Sequence, residues 1–375
     1  MTYKTLYQQT KHEFLLLRAG AVRHRTSTLP IGSFELEDVP EVKTGEFLRG
    51  IIQTLGKFGI GNSLNITKLN SKSPVHLINI AIAQEDGEFL YITKKGKKNT
   101  YKIKEHITRG AFNEIRYIVK KEHDDHEEDD DHEEHDDHEE QKGKLILRKS
   151  KLKTQFNNDI YENIIHIILY QYCQIILKDN PIIQPLKIAI STELPVVYCI
   201  MENGGITFSE YLQRISKLEE ENSRKRNLVL EALESIYIRL ETLSNVIGFV
   251  HGDFKPNNIL CKYKPITFEI TDVKFIDFGY SKFTIREKEE TKFEFVTENA
   301  LQISEKYDYN ICKDMAFLIL TSILMVKDEF IANIFREIGK HVIVDFENHS
   351  KKNIMNLYWQ TYKCNSIDFD EIKLI

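Results

Sequence analysis

Eight residues, His251 to Asn258, read "HGDFKPNN" and lie between apolar runs. The carboxylate of Asp253, held on a loop, can accept a proton from a hydroxyl or orient it for attack. The amide of Asn258, five residues on, can reach a metal, and the ammonium of Lys255 between them can neutralise charge on a phosphoryl group in flight. Nineteen residues past Asn258 stands "IDFG". Asp277, at the end of an apolar strand-like stretch, offers a hard oxygen ligand to Mg²⁺. Phosphoryl transfer needs positioning and electrostatics rather than covalent help, and these residue types supply both.

The elements that must hold these groups are legible from periodicity. "RNLVLEALESIYIRLETLSNVIGF" (226–249) repeats Val229, Leu233, Ile236, Leu240, Leu243 and Ile247 at helical spacing, with Glu and Arg opposite. "NNIL" and "VKFIDF" read as short strands. "FSEYLQRI" reads as a short helix. "KDMAFLILTSILMV" (313–326) is apolar all round and predicts a central buried helix. Upstream, 88–107 reads as two strands around a Lys/Gly turn, and 114–119, 143–150 and 195–203 as further strands. Residues 157–177 predict a helix with a wide apolar face. "GEFLRGIIQTLGKFGIG", nearer the N-terminus, has a helical pattern. The Lys-, Glu- and Thr-rich stretch 282–299 reads as a loop, and 327–375 as mostly helical. Strands dominate one part and helices the next, which predicts an α+β protein of two lobes.

In this order, "HGDFKPNN" and "IDFG" resemble the protein kinases, whose signature is H-R-D-x-K-x-x-N followed by D-F-G. The resemblance implies a two-lobed fold, with a small antiparallel β-sheet lobe carrying one helix and a larger helical lobe. ATP would lie between them. It implies Asp253 as catalytic base, Lys255 on the transferred phosphate, and Asn258 and Asp277 as Mg²⁺ ligands. In "ITRGAFNEI", Thr108, Gly110 and Asn113 take the three places of the glycine-rich loop, and Ile115 the place above the adenine. "LILR" takes the place of V-A-I-K and ends in Arg148, with Lys149 next to it. Alternation puts Ile146 and Arg148 on one face and Leu145 and Leu147 on the other, which favours Arg148 over Lys149. Ile115 to Arg148 spans 33 residues, and removing the 18 from His123 to Glu140 leaves an ordinary 15 for a tight turn. Glu162 matches the glutamate that pairs with that cation. In "CIMENGG", Met201 matches the gatekeeper, and the backbone of Glu202 to Gly204 would meet the adenine. Asp314 matches the buried aspartate that braces the catalytic loop. A lone Asp heading an apolar helix can also be its cap.

The sequence also departs from the family pattern. Gly252 replaces the Arg of H-R-D, so no activation-loop phosphate switch is expected. No A-P-E follows the D-F-G, and 280–312 is divergent. Arg148 carries a planar fork where the family has an ammonium. The leading expectation is a Ser/Thr protein kinase using ATP and Mg²⁺ on a protein substrate. A pseudokinase that binds nucleotide as a scaffold is one alternative. A small-molecule kinase of the aminoglycoside and choline type, in which "HGD" is common, is another. The richness in Ile, Lys, Asn and Tyr, with a low-complexity insert, also resembles putative kinases of large DNA viruses.

The expected boundaries are an N-terminal extension over 1–95, a first lobe over 96–203 with an acidic insert at 122–141, and a helical lobe over 204–375. Formal net charge is −6, yet Glu122 to Glu140 hold 14 of the 57 acids and no Lys or Arg, so the rest of the chain is basic. Like charges in a block repel, and the tract reads as a solvated loop, although its five histidines could bind Zn²⁺ or Ni²⁺. Five scattered cysteines without a C-x-x-C read as reduced core residues of a reducing compartment. No apolar run is long enough to span a bilayer, no leader is visible, and no nucleic-acid motif stands out. A soluble, intracellular, cytoplasmic protein is expected.

Overall fold

The structure is a computed structural model of the whole chain. It describes residues 28–31, 78–83, 88–92, 98–109, 113–120, 145–150, 156–191, 197–287, 290–297, 299–300, 310–346, 360–365, 367–369 and 372. The acidic tract, residues 110–112 and the apolar stretch 45–61 lie outside them.

The chain divides into two compact units, one built mainly on residues 34–167 and 184–203, the other on 168–183 and 204–375. The first holds strands β2 (Ile78–Ala83), β3 (Glu88–Ile92), β4 (Lys98–Arg109), β5 (Asn113–Lys120), β6 (Leu145–Ser150), β7 (Pro185–Ser191) and β8 (Val197–Met201). They close into a barrel in the order β2-β3-β4-β5-β6-β8-β7, antiparallel throughout except where β2 runs parallel to β7. The sheet therefore begins before the boundary expected at 95, because β2 and β3 pair in register with each other and β3 with β4. Period-two alternation decides the faces. Tyr101, Ile118, Leu147, Tyr198 and Ile200 form one buried apolar cluster across four strands. Residues one position out of step, Arg148 among them, face the other way. Helix α1 (Phe156–Ile176) follows β6.

The second unit is helical around two small sheets. Its helices are α2 (Phe208–Ser216), α3 (Asn222–Ile247), α4 (Ile311–Met325) and α5 (Glu329–Val342). Side-chain caps start three of them: Thr207, Asn310 and Asp328 accept from the N–H groups of Glu210, Lys313 and Ile331. Helix α3 ends where Gly248 turns left-handed at φ 60°. Helix α4 is buried on nearly every side, as its unbroken apolar run predicts. Strands β9 (Ile206–Thr207), β10 (Ile259–Tyr263) and β11 (Ile270–Phe275) form an antiparallel sheet.

Two expectations are corrected here. The stretch read as a loop is a hairpin of β12 (Lys282–Glu287) and β13 (Glu290–Thr297), with β1 (Thr28–Ile31) parallel to β13. Phe283 and Phe295 face each other across it with stacked rings, 4.9 Å between centroids. Dense charge on the flanking positions hid this alternation. In the tail, helix α5 fills Glu329–Val342, and the described residues 343–346 and 360–365 after it are not helical. After α5 the chain turns, and Ile343 pairs instead with Cys364 as an isolated bridge. The expectation that all cysteines are free is also corrected. Cys312 and Cys364 are joined at 2.10 Å, while Cys173, Cys199 and Cys261 are free and buried. Fifty-two residues separate the pair, so no local motif marked it. Among the described residues no helix is long and apolar enough to cross a membrane. The described residues form a mixture of helices and sheets, the α+β class expected from the sequence.

Candidate active site

In the second unit, the loop after α3 carries His251, Gly252, Asp253, Lys255 and Asn258. Asp253 is buried at 3% exposure. Lys255 Nζ donates to its Oδ2 at 2.5 Å. The Asn258 amide nitrogen donates to the same Oδ2 at 3.0 Å and to the Asp253 backbone oxygen at 2.8 Å. With its nitrogen so engaged, Asn258 keeps its carbonyl oxygen as an acceptor. A short 3₁₀ turn, Pro256–Asn258, makes this return possible within five residues.

Several backbone contacts hold this loop. Asp314, 0% exposed in the first turns of α4, accepts from His251 N and Gly252 N at 2.7 Å each. Asp314 is thus a brace, and the cap of α4 is Asn310. Burial pushes the Asp314 carboxyl up to about 7, against the pull of the two N–H donors. The ring of His251 meets the carbonyl of Ile276 through Nε2 at 2.9 Å. Its Nδ1 is buried without a hydrogen-bond partner. A second ring proton would have nowhere to go, and burial lowers the imidazole to about 4, opposed by the charge of Asp277. Phe254 and Phe278 pack on the same ring, with centroids 5.3 and 5.5 Å away. Ser281 Oγ donates to His251 O at 3.0 Å.

The strand before Asp277 is tied to the same loop. Ile276 N donates to Asn258 O at 3.1 Å. Asp277 itself has φ 68°, a left-handed backbone uncommon for a residue with a side chain and typical of strained functional sites. Its charge reaches the loop. Burial works to lower the Lys255 ammonium, but Asp253 and then Asp277 outweigh it and raise it. The Tyr280 phenol is raised by burial first, then by the same two carboxylates. The aspartates at 253 and 277 thus act on common neighbours. Gly252 has φ 79°, which explains why a glycine stands between His251 and Asp253: an arginine there would be strained.

In the first unit, Arg148 is 8% exposed, and its Nη1 meets Glu162 Oε1 on α1 at 2.5 Å. Lys149 faces the opposite side, with its ammonium 5.9 Å from the Tyr198 ring centre. The structure brings Arg148 to Glu162 and leaves the runner-up, Lys149, turned away. Register sets Ile115 opposite Arg148, and Arg148 opposite Cys199. One face therefore carries Ile115, Arg148 and Cys199, and two residues along it Tyr117, Ile146 and Met201. Thr108 pairs with Ile115, and Asn113 opens β5. Gly110 lies outside the described residues.

The expectation for Glu202 needs correcting in part. Its N–H donates to Gln184 O at 3.1 Å, and its carboxylate accepts from Gln184 N at 2.9 Å. That N–H is therefore not available to an adenine. In the second unit, Gly204 packs on Leu260 and Ile183, and a Cβ there would come within 2.6 and 2.7 Å of them.

Among the described residues no cluster of three or more His, Cys, Asp or Glu is placed to hold a metal on its own. The Asn258 carbonyl oxygen and the Asp277 carboxylate are hard oxygen donors. Two protein oxygens, with the remaining positions left to phosphate and water, suit Mg²⁺. A cavity of about 520 Å³, lined by residues including Leu320, Ile343, Tyr362 and Lys363, contains none of the predicted site residues. Sequence reasoning missed Tyr280, Ser281 and the Ile276 carbonyl. Only their nearness to Asp277 in the chain could have marked them.

The model of the ecdysteroid kinase-like family matches residues 191–285. No curated protein matches the chain. Among solved structures, the chain is similar to the autoinhibited serine kinase domain of the giant muscle protein titin, at 16% identity and TM-score 0.35. That match covers 63% of this chain and 66% of the titin chain, just under two thirds. The matched residues run from the end of β7 into β12 and include Asp253, Lys255, Asn258 and Asp277, whereas Asp314, which braces the loop, lies beyond them.

Proposed function

We propose that this protein is an ATP-dependent phosphotransferase that moves the γ-phosphoryl group to a hydroxyl. The observation that carries the reading is the buried Asp253 carboxylate, fixed by Lys255 and Asn258 beside the left-handed Asp277. Asp253 orients the acceptor hydroxyl and takes up its proton as the bond to phosphorus forms. Lys255, between two carboxylates, stays protonated and steadies the phosphoryl oxygens. Arg148, aimed by Glu162, grips the nucleotide phosphates as a charged fork. The protein-kinase resemblance assigns Ile115, Met201 and the backbone of Glu202 and Gly204 to the adenine, and Thr108, Gly110 and Asn113 to the phosphates. Asn258 and Asp277 would hold Mg²⁺, which when bound neutralises charge on the phosphate oxygens.

For the acceptor, Lys255 two residues after Asp253 favours Ser/Thr of a protein. A second reading, a small-molecule alcohol, is favoured by the match of residues 191–285 to the ecdysteroid kinase-like family. Purified protein with Mg²⁺ and γ-labelled ATP, offered a protein mixture and a panel of steroid and amino alcohols, separates the two. Asp253→Asn should lower transfer by about 10²- to 10⁴-fold with ATP affinity nearly unchanged. Asp277→Ala should abolish transfer. Transfer by Asp253→Asn at the wild-type rate refutes the role of Asp253. Nucleotide binding by the wild type without transfer to any acceptor makes the protein a scaffold instead.

A further inference from the structure

The Cys312–Cys364 bond lies two residues from the brace of the catalytic loop. Cys312 is in the first turn of α4, and Asp314, next but one, holds the N–H groups of His251 and Gly252. From the other cysteine the chain continues into a docked tail. Cys364 bridges Ile343 at the end of α5, and Asn365 N donates to Val342 O at 2.9 Å. Further on, Phe369 packs its ring on Tyr237 of α3, and Arg226 donates to Ile372 O. The disulfide is the covalent link between this tail and the turn that carries Asp314. Both half-cystines are only partly buried, whereas the other three cysteines are buried. A solvent dithiol therefore has access to this bond that the three buried cysteines do not share.

We propose that Cys312–Cys364 is a redox switch on the Asp253 loop. A dithiol reductant gives up two electrons and two protons. The S–S bond breaks, Cys312 and Cys364 become thiols, and the dithiol closes to its own disulfide. The first turn of α4 then loses its tether, and Asp314 holds the two amides less firmly. Asp253, one residue past Gly252, loses its fixed orientation. A small disulfide, itself reduced to thiols as it takes up the two electrons and two protons, re-forms the Cys312–Cys364 bond and restores the tether. The effect on turnover rests on the phosphotransfer reading above, but the effect on the amides does not.

The test is hydrogen exchange on the full-length protein, oxidised and after dithiol treatment, with thiols counted in denaturant. The oxidised protein should show three free thiols and the reduced protein five. Reduction should speed exchange at the His251 and Gly252 amides at least tenfold and leave the middle of α3 protected. Reoxidation should reverse it. The Cys312→Ser/Cys364→Ser variant should exchange like the reduced protein with or without dithiol. If transfer is detected, kcat should fall on reduction while KM for ATP holds. Unchanged exchange at 251 and 252 on reduction overturns the proposal. So does loss of protection throughout α3 and α4 together, which would make the bond a support of the whole fold. Five thiols before reduction would show that the bond does not form and would overturn it too. Failure to detect transfer, with the exchange result intact, would count against the phosphotransfer reading alone.

Discussion

The backbone N–H of His251 donates to Asp314, yet the titrations of the two side chains pull stability in opposite directions. The imidazole is ordinary near 6.5 when unfolded and about 4 in the fold. The unfolded chain binds the extra proton between those values. The stabilisation from a neutral His251 is therefore complete above pH 6.5 and lost as pH falls towards 4, by up to about 3 kcal/mol. Asp314, raised from 3.8 to about 7, works the other way, since the fold binds its proton more tightly and stability falls as pH rises through that window. A His251→Gln variant isolates the first effect, because a glutamine side chain can still donate towards Ile276 and does not titrate. Denaturant unfolding of both proteins from pH 4 to 7 should show the wild type losing stability relative to the variant as pH falls. A difference that stays flat across that range would mean the ring is not held neutral. At this scale the sequence was most informative about charge. Asp253, Lys255, Asn258 and Asp277 announced themselves by type and spacing. The glycine at 252 did not explain itself, because the need for positive φ belongs to the backbone path.

Strands and helices were legible where one periodicity ran uninterrupted. Helix α3 falls within a few residues of its predicted span, and β6 alternates as read, which places Leu147 in the apolar cluster and Arg148 opposite. The β12–β13 hairpin was missed because its apolar pair, Phe283 and Phe295, sits among charges that mimic a loop. The reason for the "GG" after β8 is steric. Gly205 has φ 97°, and a Cβ there would come within 2.2 Å of the Cys261 carbonyl oxygen. The backbone passes too close to β10 for any side chain. Gly205→Ala should therefore cost at least about 2 kcal/mol, seen as a lower unfolding midpoint. A midpoint within experimental scatter of wild type would show that β10 can move aside.

At the scale of the whole chain, the barrel is indifferent to what joins β5 and β6. Their ladder runs from Asn113–Ser150 to Ile118–Leu145 without using any residue of the acidic tract. Loop-closure entropy changes slowly with length. Deleting 123–140 should leave the melting temperature within a few degrees, and a large fall would show that the tract packs on the barrel. The disulfide belongs to the same scale. Closing a 52-residue loop restricts the unfolded chain by about 4 kcal/mol on the chain-entropy account. The sequence by itself determined the chemistry on offer: a carboxylate, an ammonium and an amide within six residues, a second carboxylate nineteen further on, and the periodic segments to carry them. Local spacing records those facts. Tertiary structure alone decided that Asp314 is a brace rather than a cap, gripping the loop from sixty residues away, and that Cys312 finds Cys364. Each depends on contacts between segments far apart in the chain, and their geometry exists only once the core has formed.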